Sequence, residues 1–273
     1  QSMILSKSEW RNQRKSLLIW TAVFSLLSLL FSAIYPQMFT PVLKDSMATL
    51  MIEFPESLLA TFHISLSGPA NLLQPLGFFA YYFQYLFLAA CVYAILLGIQ
   101  SLIQEESAGT IDFLYAQPIS REQIVANKWF VQTIILSLFW FVSACTSLGG
   151  LLLFKENTDT VAAIVEGISA IYWNEWFVLW FFLTLGMFLS TLIHHANQGT
   201  SVALSIVFGF YLLGIVSNLY APLDFLASLS PIHQGIPATI LEQGFPHKGI
   251  LFLISLLFIA LTFFVYHRKD FRH

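Results

Sequence analysis

Residues 78–103 read FFAYYFQYLFLAACVYAILLGIQSLI. The run contains no Asp, Glu, Lys or Arg. Crossing the hydrocarbon core as a helix takes about 20 apolar residues. This stretch therefore predicts a transmembrane helix with length to spare. Five further segments pass the same test: 17–35, 129–154, 176–193, 200–219 and 250–266. None of them holds an Asp, Glu, Lys or Arg either. We read the chain as all-α: a polytopic membrane protein with six transmembrane helices in a single domain, 1–273.

Composition supports this. Of the 273 residues, 57% are hydrophobic and 10% charged. A soluble domain is typically about 45–50% apolar and about 25% charged. So few charges cannot cover that much apolar surface in water, which argues against a soluble enzyme, a nucleic-acid binder and a disordered chain. Phe occurs 27 times, as suits lipid-facing helices. The first span is not read as a cleaved signal peptide, because its apolar run is long and five more follow.

Basic residues set the expected orientation. With the N-terminus inside, Lys7, Arg11, Arg14, Lys15, Arg121, Lys128, Arg268, Lys269 and Arg272 are cytoplasmic. Lys44, Lys155 and Lys248 are outside. Basic residues favour the cytoplasmic side, so both termini are predicted to be cytoplasmic. Trp10, Trp20, Trp129, Trp173 and Trp176 fall near the predicted interfaces, as in an aromatic belt.

The predicted outer loops are 36–77, 155–175 and 220–249. Val161, Ile164, Val165 and Ile168 follow helical spacing, as do Met47, Leu50, Met51 and Phe54. Both sets predict short amphipathic helices along the outer interface. Cys91 and Cys145 lie in separate apolar segments and read as small buried hydrophobes. His63, His233 and His247 are scattered outside, and adjacent His194 and His195 point apart on a helix, so no metal site is predicted.

Absent motifs narrow the function. No Lys follows a Gly, so there is no Walker A phosphate loop. H-E-x-x-H and G-x-S-x-G are also missing. No cofactor or nucleic-acid partner is expected. Ion-coupled transporters usually keep ionisable groups inside the membrane, and the six predicted spans have none. Uphill transport by this chain would then draw its energy from a partner.

The segment 104–128 is the most informative one. Glu105 and Glu106 end the second span, and Gly109 permits a sharp turn. Thr110 can cap a short helix, with Asp112 in its first turn. That helix would present Ile111, Phe113, Leu114 and Tyr115 before Pro118 stops it. Ser120 opens the next helix, and Gln123 completes a capping box. Physics alone allows either a knob that docks on a partner or a turn whose apolar residues dip into lipid.

The pattern Glu105-Glu106-x-x-Gly109-Thr110-x-x-x-Leu114-x-x-x-Pro118-Ile119-Ser120-Arg121 resembles the intracellular loop of ABC transporter permeases of the type-2 exporter class. Ser230-Pro231 is similar to that family's element before the sixth span, and His267-Arg268-Lys269-Asp270-Phe271 to its C-terminal ending. The resemblance covers about twenty residues in motif and the whole chain in topology. It implies a coupling helix docked on a separate ABC ATPase subunit, two copies of which work with two permeases. ATP and Mg would be bound by that partner, and hydrolysis would occur there. The transmission surface would be Glu105, Glu106, Gly109, Thr110, Phe113, Leu114, Pro118, Ser120 and Arg121. Met3–Lys15 would be the amphipathic connecting helix. The alternative for that segment on its residues alone is a simple basic anchor.

Candidate pathway or dimer-interface residues follow from small and polar stripes. Thr21, Ser25, Ser28 and Ser32 share one face of the first span, and Ser201, Ser205 and Gly209 one face of the fifth. Small residues let helices approach closely. These faces would meet a second permease copy or paralogue, line a central path, or pack within one subunit. Tyr81, Gln84 and Tyr85 are candidates for a cargo-binding wall or an aromatic belt. We expect a non-enzymatic exporter subunit in a bacterial cytoplasmic membrane, moving a hydrophobic or amphipathic cargo such as a drug, lipid-like molecule or antimicrobial peptide. The alternative is a non-transporting membrane scaffold, sensor or assembly protein.

Overall fold

Helical periodicity outlasts the apolar runs at most span ends, so the helices are longer than hydropathy alone suggests. The computed structural model describes residues 2–107, 120–156, 159–193, 196–219, 222 and 225–268. In chain order the helices are α1 (Ser2–Met38), α2 (Pro41–Ile52), α3 (Glu56–Thr61), α4 (Pro75–Ser107) and α5 (Arg121–Leu153). They continue with α6 (Val161–Ser190), α7 (Gly199–Leu219), α8 (Phe225–Leu229), α9 (Pro231–Gln234), α10 (Pro237–Gln243) and α11 (Lys248–Arg268). Six of these are long and apolar enough to cross a membrane: α1 from Glu9, α4 to Ile103, and all of α5, α6, α7 and α11. The bundle thus has two ends. The hairpin end carries the start of α1, the end of α4 and the start of α5. The loop end carries the short helices.

Two expectations change here. Met3–Lys15 does not form a separate helix; it runs without a break into the first span as a helix of 37 residues. The expected loop 155–175 is mostly span. Helix α6 begins at Val161 and absorbs the predicted amphipathic segment, with Ile164 and Ile168 buried on its inner face. Glu166, Asn174 and Glu175 depress the apolar average, yet helical spacing continues through them and α4 covers the inner face. Trp173 and Trp176 consequently sit in mid-helix rather than at a span end. The predicted helix of Met47, Leu50 and Met51 is present as α2.

Helices α4 and α6 form the centre and run in the same direction, buried along most of their length. Their backbones meet at two glycines. A Cβ on Gly186 would lie 2.3 Å from the Ile95 carbonyl oxygen, and one on Gly98 would lie 2.3 Å from that of Leu183. Aromatic packing fills the rest. Phe79 and Phe83 stack at 4.7 Å, and Tyr172 meets Phe83 at 5.1 Å and Trp140 at 4.7 Å. Cys91 is buried there, but Cys145 is exposed on α5, contrary to its expected burial.

Hydroxyl groups stitch α1, α5 and α6 together. Ser147 Oγ lies 3.1 Å from Ser28 Oγ and 2.8 Å from the Tyr172 hydroxyl. The Tyr172 hydroxyl also donates to the Ser143 carbonyl at 3.1 Å. Buried polar groups in a hydrocarbon-facing bundle need such partners. At the loop end, Lys44 of α2 pairs with Glu156 at 2.6 Å.

Candidate functional site

The hairpin end is built from the start of α5. Ser120 has extended backbone geometry, and its Oγ accepts the Gln123 N–H at 3.2 Å. The Gln123 side-chain oxygen in turn accepts the Ser120 N–H at 3.3 Å. The predicted capping box is therefore formed, and it fixes where the chain enters the helix. Arg121 donates to the His267 carbonyl at 3.5 Å, and Glu122 lies 3.7 Å from the His267 ring. These contacts join the start of α5 to the end of α11.

Behind this surface lies a buried polar cluster that sequence reasoning missed. Lys128 Nζ donates to Glu9 at 3.4 Å and also to the Ser101 carbonyl. Gln132 Nε2 donates to the other Glu9 oxygen at 2.6 Å. All four residues are buried. The cluster pins the N-terminal part of α1 to the bases of α4 and α5. Its signal was a lone acid, Glu9, in a basic segment, and a Lys one residue before an apolar run.

The other predicted coupling residues divide by position. Gly109, Thr110, Phe113, Leu114 and Pro118 lie outside the described residues. Glu105 and Glu106 fall in the last turns of α4, and their side chains are likewise outside the description. The stretch 108–119 joins two helices that are both held by the Lys128 cluster.

The pathway candidates separate into three groups. Ser25, Ser28 and Ser32 face α5 within the chain: Thr146 bonds Ser25 at 3.3 Å, and a Cβ on Gly150 would meet Ser32. Thr21 is half-buried on the same helix. Ser201, Ser205 and Gly209 are exposed, and nothing among the described residues lies within 4 Å of a Cβ placed on Gly209. Tyr85 is exposed and Tyr81 half-buried, with ring centres 6.1 Å apart. Gln84 turns inward and donates to the Phe62 carbonyl at 3.3 Å.

The bundle interior is not free of acid. Glu175 is 0% exposed, halfway along α6, and neither carboxyl oxygen meets a hydrogen-bond partner among the described residues. The expectation of charge-free spans fails at this residue because α6 starts earlier than hydropathy indicates. Ionisable groups inside a membrane bundle are rare and usually functional. His63 and His233, expected to be scattered, are brought together at the loop end with ring centres 5.6 Å apart.

Six membrane-length helices around a polar-stitched core define a polytopic α-helical membrane protein. A family model described as ABC-2 family transporter protein matches residues 3–271, and the chain belongs to that family. No curated protein matches the chain. Family membership makes it the membrane-spanning permease component of a transport system, not itself a catalyst, of a kind that generally works with an ABC ATPase.

Proposed function

We propose that this chain is a single permease domain, 1–273, of an ATP-driven exporter, with its hairpin end in the cytoplasm. Two ABC ATPase subunits bind ATP and Mg and dock on the 104–128 hairpins of two permeases. The setting is a bacterial cytoplasmic membrane. The observation that carries this reading is the hairpin's mounting. The Ser120 capping box fixes the start of α5, and buried Lys128 joins α5 both to Glu9 of α1 and to the Ser101 carbonyl of α4. A push on the hairpin is thereby delivered to three spans rather than absorbed by a loose turn.

Two features support the finer points. The exposed Ser201, Ser205 and Gly209 face of α7 suits close approach by a second permease, a copy or a paralogue. A groove of about 740 Å³ between α5 and α6 is lined by Trp140, Phe141, Tyr172, Trp173 and Trp176. Its size and aromatic walls suit a hydrophobic or amphipathic cargo.

The test is export in vesicles that hold both subunits. Arg121→Glu and Phe113→Ala are each expected to lower ATP-dependent export at least tenfold while the permease remains folded in the membrane. Full export by both variants removes the hairpin from the coupling path.

A further inference from the structure

The loop end holds a polar cluster apart from the hairpin, the small-residue faces and the aromatic groove. His63 follows α3 with a backbone φ of 53°. This left-handed geometry is uncommon for a residue other than glycine and clusters at functional sites. Both ring nitrogens of His63 are buried and make no hydrogen bond of good geometry, the Gln84 side chain being a long or poorly aligned partner. Nδ1 of His233, on α9 two residues after Pro231, is buried without a hydrogen-bond partner. The Gln84 side-chain oxygen, on a residue only 6% exposed, likewise makes no hydrogen bond of good geometry. Native proteins leave few buried polar atoms unpaired, and a bound ion is one explanation when several gather. Both imidazoles line a cavity of about 340 Å³ whose wall also carries Glu56 and Glu242.

The ring separation is close to that of two imidazoles on a shared metal ion. Metal–nitrogen bonds of about 2.0–2.1 Å place the ring centres of two imidazoles on one tetrahedral ion roughly 5–5.5 Å apart. The observed separation is 5.6 Å. We propose that His63 and His233 form a two-imidazole binding site for a divalent transition metal of the zinc type, with open positions facing the cavity. Among the described residues no three of His, Cys, Asp and Glu converge on one point. Water therefore completes the coordination, with Glu56 and Glu242 supplying negative charge in the wall.

The surroundings suit neutral ligands. Burial first, and His233 second, lower the His63 pKa to about 4, while the adjacent Gln84 amide works in the other direction. Burial lowers His233 as well. Burial thus favours the neutral form of both rings, the form that binds metal. Each is also held in place. The Ser230 Oγ accepts the His233 N–H at 3.2 Å and donates to the Phe210 carbonyl of α7 at 2.7 Å. Asn218 of α7 donates to the Ala60 carbonyl at 3.3 Å, one turn before His63. A bound ion would join the segment after α3 to the α9 turn across the end of α7.

The test is Zn²⁺ titration of the purified full chain, carrying an affinity tag free of histidine, by calorimetry in metal-free buffer. One Zn²⁺ per chain is expected. His63→Asn, which tolerates the left-handed backbone, and His233→Gln should each lower the affinity at least tenfold. Unchanged binding in both variants, or no binding by the parent protein, overturns the site. Zinc-edge X-ray absorption on the unsubstituted protein gives a readout independent of variant folding. Two imidazole nitrogens in the first coordination shell support the assignment, and an all-oxygen shell contradicts it.

Discussion

Lys128→Met is expected to destabilise the protein by about 3–5 kcal/mol, the usual cost of leaving a buried charge without its partner. Lys128 Nζ reaches both Glu9 and the Ser101 carbonyl, and Glu9 is buried on α1. Removing the cation takes away the ammonium that faces the Glu9 carboxylate and leaves the Gln132 amide in place. The loss should fall on the hairpin end, where α1 meets α4 and α5. Replacing both charges should cost far less, because a buried ion pair often gives no net advantage over apolar residues that pack well. Thermal unfolding in detergent checks this. A large drop for Lys128→Met, mostly recovered in Glu9→Leu/Lys128→Met, is the expected pattern. Equal drops in the single and double variants would contradict the pairing.

The second large effect is expected at the α4–α6 seam. A Cβ on Gly186 lies 2.3 Å from one backbone oxygen and 3.0 Å from the carbon that bears it. A backbone cannot swing aside like a flexible side chain, so the helices must separate. Gly186→Ala should cost about 1–3 kcal/mol by overpacking. Gly186→Leu should abolish recovery of monodisperse protein, since α4 and α6 form the centre of the bundle. Gly149 is the matched control. A Cβ there meets nothing within 4 Å, and Gly149→Ala should gain about 0.5–1 kcal/mol from helix propensity. Size-exclusion chromatography and thermal unfolding separate these outcomes. Normal yield of Gly186→Leu would mean that the seam is not close-packed in the membrane.

Local chemistry explains what the sequence revealed of this fold. A charge-free window of 18 or more residues has few alternatives to a span, so residues 78–103 were readable by themselves. The Ser120–Gln123 capping box was equally readable, because both partners lie within one turn. The fourth span was only half readable. Glu166, Asn174 and Glu175 lower its apolar average, and the α4 surface that covers Glu175 comes from a distant part of the chain. Periodicity puts the serines of α1 on one face but does not say which helix that face meets. It meets α5 through Ser147 and Thr146.

The clusters that depend on long-range juxtaposition were not readable. Glu9, Lys128 and Gln132 come from two spans, and Ser101 from a third. Separate basic and acidic residues in predicted interfacial segments looked like ordinary surface charge. His63 and His233 lie on opposite sides of four spans in sequence and become neighbours only when α3 and α9 both pack near the end of α7. The resemblance-based coupling residues rest on the motif itself, since 108–119 lies outside the described residues.

The claim that energy enters this permease from a separate ATPase at the hairpin end has a direct test. The chain is purified through an affinity tag in mild detergent from its own cells, and co-purifying proteins are identified and quantified by mass spectrometry. The account predicts an ATPase subunit carrying a Walker A phosphate loop at a one-to-one ratio with the permease, lost or strongly reduced in Arg121→Glu. A permease that purifies free of any such subunit, from cells that contain one, would contradict it.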